Sequence, residues 1–154
     1  MKGQRMKRMI STLAGVGFVL AAYASFADDA GNLVGYRQKV MKGIGANTAA
    51  IGDILKFKLP YEKNVAGHAQ ALHADAQLIV SAFEKKADSP KSHAKPDVWE
   101  KTADFKEDAE KLVAASAKLV TIAEGGDMPA IGAQMKEVGK ACQECHDAFR
   151  KEEK

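Results

Sequence analysis

The chain predicts an all-α fold, an antiparallel up-down-up-down four-helix bundle, and three observations carry that expectation. Four segments repeat their apolar residues at alternating steps of three and four, the spacing that turns one face of a helix toward a core. No run with strand-like alternation interrupts them. The connections are mostly short and marked by proline or glycine, so consecutive helices return antiparallel to one another. With 154 residues the chain suits one domain with one core.

The elements follow in order. Residues 1–27 read as a secretory leader: Lys2, Arg5, Lys7 and Arg8 make a basic start, residues 13–24 are apolar, and Ser25-Phe26-Ala27 offers small residues for cleavage. Asp28 then begins the mature chain, and residues 28–154 form the bundle domain. The apolar stretch is short and is followed by Asp28 and Asp29 rather than by basic residues, which argues against a retained membrane anchor. The first bundle helix spans residues 33–55 with Arg37, Met41, Ile44, Thr48, Ile51 and Leu55 along its seam, and Pro60 ends it. A second seam runs through Val65, Ala69, Leu72, Ala76, Ile79 and Phe83. Residues 85–96, with Pro90, Pro96 and several lysines, read as a surface loop.

The third seam is Trp99, Thr102, Phe105, Ala109, Leu112, Ser116, Leu119 and Ala123, stopped by Gly125-Gly126. Asp127 is placed to cap the fourth helix and Pro129 suits its first turn. That helix carries Ile131, Met135, Val138, Cys142, Cys145 and Phe149. The stripes are rich in alanine, which fills a four-helix core thinly unless something else occupies it.

Within the last helix, Cys142-Gln143-Glu144-Cys145-His146 has the C-x-x-C-H spacing of covalent haem attachment. Each thiol adds to one porphyrin vinyl group, and the adjacent imidazole becomes an axial ligand of the iron. At i, i+3 and i+4 the three groups share one helix face. A structural zinc site needs four ligands, and the chain has only two cysteines. A thioredoxin-like pair needs a strand beside it, and a disulfide within one helical turn closes too short a loop to stabilise much. The sequence therefore points to one haem c held through two thioether bonds, a core filler of the missing apolar volume.

The group on the other face of the iron separates electron transfer from binding of a small ligand. Met41 brings a thioether to a seam position on a different helix; its ordinary reading is core packing. Met135 lies on the attachment helix itself and Met128 at its start, so both read as packing residues. His68 and His73 flank the second seam and His93 sits in the loop, as exposed or half-exposed histidines. Arg37 occupies a seam position one turn before Met41, where an unpaired cation is costly; it either meets a haem propionate or reaches water at the open end of the bundle. Arg150, one turn after His146, has the same two readings, propionate or frayed terminal turn.

The full chain has 23 basic and 20 acidic residues. The leader holds four of the basic ones and no acidic one, so the mature chain has 19 against 20, a net charge of −1. That balance gives no reason to invoke nucleic acid or an anionic membrane surface as partner. It does not exclude local patches for docking to a redox partner, and the expected partners are periplasmic redox proteins that meet a soluble, exported chain, itself a monomer or homodimer.

Four stretches together resemble the class II c-type cytochromes, the cytochrome c' family. They are Tyr36-Arg37-Gln38-Lys39-Val40-Met41, Pro60-Tyr61, Ala94-Lys95-Pro96-Asp97-Val98-Trp99, and Gly139-Lys140-Ala141-Cys142-Gln143-Glu144-Cys145-His146-Asp147-Ala148-Phe149-Arg150. The resemblance implies a periplasmic four-helix haem protein with Cys142 and Cys145 as attachments, His146 as proximal ligand and Arg37 near the haem. It also implies two branches: one with a non-ligating residue at the position of Met41 above an empty distal site, and a six-coordinate, low-spin branch with a ligating methionine there, as here. The compact second connection and Phe57-Lys58-Leu59, in place of a glycine before Pro60-Tyr61, depart from the pattern and bear on dimer packing. The expectation is a non-enzymatic one-electron carrier with His146 and Met41 both bound to iron. The alternative is a five-coordinate protein that binds nitric oxide or carbon monoxide. A peroxidase needs an acid–base group above the iron, and no histidine occupies a seam.

Overall fold

The computed structural model describes residues 15–152 apart from position 88, with side chains from Asp29 onward. Most of the predicted leader therefore lies outside the described residues. The first helix, α1, runs Gly15–Phe57, passing through the expected cleavage point without a break. A single 3₁₀ turn, Glu62–Asn64, leads into α2 (Val65–Ala76) and the short α3 (Ile79–Phe83). After the loop come α4 (Asp97–Glu100), α5 (Thr102–Glu124) and α6 (Met128–Phe149). No strand forms among the described residues; the nearest feature is one isolated bridge between Ala94 and Arg150.

The helices enclose one core. α1 packs on α2, α2 on α5 and α5 on α6, while α6 closes back on α1 along a much thinner interface. Seam residues from all four walls meet inside: Ile44, Ile51, Leu72, Leu112, Leu119, Ile131 and Val138 are buried together. Removing each large aliphatic from water contributes about 1.5–3 kcal/mol.

Local chemistry explains the ends. The Asp127 carboxylate accepts a hydrogen bond from the Ala130 backbone N–H at 3.0 Å, satisfying an otherwise orphaned donor of the first turn, and Pro129 sits in that turn without loss. α5 stops where Gly126 turns left-handed at φ 71°, a conformation that costs glycine nothing. α1 ends with the same device but no glycine: Lys58 takes φ 51° and the Leu59 N–H reaches back to the Ile54 carbonyl at 3.2 Å.

Two predicted helices are interrupted. The second splits at Gln77–Leu78, where Leu78 N–H bonds the Asp75 carbonyl three residues back, although Ala76, Ile79 and Ala82 keep the seam buried across the gap. The third breaks at Lys101 (φ −119°, ψ 54°), which the Asp97 carboxylate holds at 2.6 Å. Thr102 is consequently exposed rather than part of the seam.

Candidate haem site

The buried register of α6 runs Ile131, Gln134, Val138, Ala141 and then lapses until Phe149. Cys142 and Cys145 fall in that lapse, half-buried against the core edge, and His146 is exposed. Burial pushes the Cys142 thiol up, and Cys145 rises to about 11 through burial, then Asp108 and Cys142, with Lys111 pulling down. Burial thus favours the neutral thiol over the thiolate at both cysteines. Among the described residues no three histidine, cysteine or acidic groups gather as a metal site. Partial burial of its ring and the charge of Arg150 lower the His146 pKa against the opposite pull of Asp147, so a neutral imidazole with a free lone pair prevails.

An aromatic cluster stands beside these groups. Phe149 meets Phe105 edge to face with centroids 5.3 Å apart, and Phe105 meets Phe83 at 5.3 Å. The Trp99 indole N–H donates to the Phe83 carbonyl at 2.8 Å. Arg37 reaches the cluster from α1, its guanidinium carbon 5.1 Å from both the Phe83 and Trp99 ring centroids. Its Nε donates to the Ala82 carbonyl at 2.9 Å and its Nη2 to the carbonyl of Lys85.

Arg37 is only 3% exposed, so the reading in which it reaches water is excluded. Its Nη1 is buried without an acceptor. An unsatisfied donor of this kind costs about 1–3 kcal/mol, and more for a cation, so an anionic group is the partner the position calls for. Two thiols and a neutral imidazole at attachment spacing, together with this waiting donor, fit a haem with its propionates.

Met41, one turn beyond Arg37 on α1, is half-buried and packed on the core, as is Met135 on α6. Arg150 follows α6 directly, its N–H bonded to the His146 carbonyl at 2.9 Å. It lines a cavity of about 440 Å³ with Lys95, His146, Asp147, Lys151 and Glu152. The interhelical loop is tied to this end: Lys95 N–H donates to the Phe149 carbonyl at 2.8 Å and Lys151 N–H to the His93 carbonyl at 2.7 Å. His93 is exposed. His68 and His73 are half-buried and occupied, with Asn47 Oδ1 and Ser116 Oγ respectively at 3.0 Å. Thus Cys142, Cys145, His146 and Arg150 are brought together by α6 itself and Arg37 joins them through aromatic rings. Met41 shares the helix of Arg37.

Phe83, Trp99, Phe105 and Phe149 were expected in the core but not as a site wall. A signal existed: in an antiparallel bundle the end of the second helix, the start of the third and the end of the fourth coincide, and each carries an aromatic.

This fold with this triad defines a c-type haem protein of the helical-bundle kind. A family model described as cytochrome c' matches residues 32–150. The chain is 36% identical to cytochrome c' of Pararhodospirillum photometricum over 76% of this chain and 94% of the relative. A crystal structure of cytochrome c' from Rubrivivax gelatinosus superposes with TM-score 0.72 at 31% identity, covering 79% of this chain and 97% of that one. A nitric oxide complex of a variant of cytochrome c prime from Alcaligenes xylosoxidans gives TM-score 0.74 at 26% identity, covering 80% and 97%. The chain belongs to the cytochrome c' family, and its cofactor is one covalently attached haem c. No helix among the described residues is long and apolar enough to cross a membrane.

Proposed function

We propose that this chain is a periplasmic one-electron carrier, in which Cys142 and Cys145 would hold the haem through thioether bonds, His146 and Met41 would ligate its iron, and Arg37 and Arg150 would meet its propionates. When bound, haem c supplies a ferric/ferrous couple whose potential rises with thioether ligation. The observation that carries the reading is Met41: a half-buried thioether on the core side of α1, one turn beyond the arginine that lacks an acceptor. Keeping both ligands through the cycle holds the surroundings of the couple unchanged, which favours transfer over capture of a small ligand.

His146 enters as a neutral imidazole, kept so by partial burial and Arg150. Arg37 is pinned by two backbone carbonyls and two rings, which leaves Nη1 oriented before any partner arrives. Phe105 and Phe149 are buried and limit water at this end.

The test is spectroscopic. Met41→Ala is expected to convert a low-spin haem to high-spin and to lower the reduction potential, while Met135→Ala does neither. Equal behaviour of the two variants refutes the assignment. The second reading, capture of nitric oxide or carbon monoxide at an open position, is favoured by a structural neighbour, the nitric oxide complex of the Alcaligenes xylosoxidans cytochrome c prime variant. A high-spin ferric spectrum in the wild type, with rapid carbon monoxide binding after reduction, would select it.

A further inference from the structure

α5 and α6 are antiparallel, and two contacts set their register. Phe105 meets Phe149 at one end, and the Gln134 side-chain N–H donates to the Ala115 carbonyl at 3.0 Å further along. One turn along α5 from Phe105 is Asp108, and one turn back along α6 from Phe149 is Cys145, so the two face each other across the groove. Asp108 is tucked in accordingly, its side chain only 16% exposed. Its Oδ1 lies 2.8 Å from Lys111 Nζ, which also stands 3.2 Å from Glu107 Oε1. The three groups leave one net negative charge on the wall opposite an attachment cysteine.

We infer that the Asp108–Lys111 pair on α5 is an electrostatic tuning element of the haem couple, Asp108 lowering the reduction potential and Lys111 raising it. The inference rests on the proposed attachment of haem at Cys142 and Cys145. Neither residue ligates anything; both act as fixed charges that favour one oxidation state, because oxidation adds a positive charge to the centre beside them. The Asp108 side chain is 16% exposed and that of Lys111 47%, so their influence is less damped than that of charges on the outer face. Glu110 shows the contrast: it sits on the same helix, 3.6 Å from Lys106, with both side chains more than half exposed.

Spectroelectrochemical titration of the holoprotein decides the matter. Asp108→Asn should raise the ferrous-to-ferric ratio at a fixed potential by about three- to tenfold, Lys111→Gln should lower it by a similar factor, and Glu110→Gln should leave it nearly unchanged. All three should keep the wild-type visible spectrum. Shifts of the same sign in Asp108→Asn and Lys111→Gln overturn the inference, because a packing defect has no charge sign. So do the absence of a shift, a Glu110→Gln effect of equal size, or an altered spectrum. The carrier reading fails instead on a high-spin wild-type spectrum, which leaves these signs readable.

Discussion

The two ends of the bundle are built differently. Where α1 gives way to α2 and α5 to α6, Ile51, Val65, Leu119 and Ile131 are completely removed from solvent and need nothing but each other. At the opposite end a buried arginine holds one donor without an acceptor, Phe83 and Trp99 are half-covered, Cys142 and Cys145 stand at the core edge, and His146 faces out. The first end stabilises the chain from its own aliphatic burial. The second carries polar and aromatic groups whose desolvation is costly until a large, flat, partly anionic group joins them. Aliphatic burial and the candidate cofactor groups are thus divided along the bundle axis, and α6 meets α1 far more sparsely than it meets α5.

The strongest way to break this division is at the attachment end. Replacing both Cys142 and Cys145 by alanine should leave little covalently held haem by mass spectrometry and a largely disordered bundle by circular dichroism, because the cofactor stabilises only the folded chain. A well-folded, haem-free double variant would show that the sealed end suffices alone. Leu119→Ala at the sealed end should cost about 2–5 kcal/mol in denaturant unfolding while leaving the visible spectrum of the holoprotein unchanged. A changed spectrum would mean the ends are coupled. The smallest expected effect is a gain: Lys58→Gly removes a side chain from the left-handed turn that closes α1 and should add about 1 kcal/mol of stability with no change in reduction potential. Loss of stability there would point to a contact of the Lys58 side chain that outweighs its backbone strain.

Much of the fold was legible because its signals are local. The cap of Asp127, the first-turn Pro129, the Gly125-Gly126 stop and the seams through Ile44, Ile51, Leu72, Leu119 and Val138 depend on spacing and backbone chemistry within one segment. The breaks at Gln77–Leu78 and Lys101 were not legible, because the apolar period runs through both while the hydrogen bonding fails. The turn at Lys58 was hidden for a related reason: a lysine there does not announce a left-handed residue, and only the chain reversal imposes it.

By itself the sequence determined the helical class and nominated Cys142, Cys145 and His146 as the attachment triad, with Arg37 and Met41 beside it, since each follows from residues within a few turns of one another. Only the tertiary structure decided that Arg37 is sealed away from water with Nη1 lacking an acceptor, that Phe83, Trp99, Phe105 and Phe149 form one wall, that the interhelical loop is tied to the end of α6, and that the Asp108 side chain is tucked in beside Lys111. The reason is geometric. Periodicity records which face of a helix is buried, but the register between two helices depends on how side chains of both interlock, and that information exists in neither helix alone.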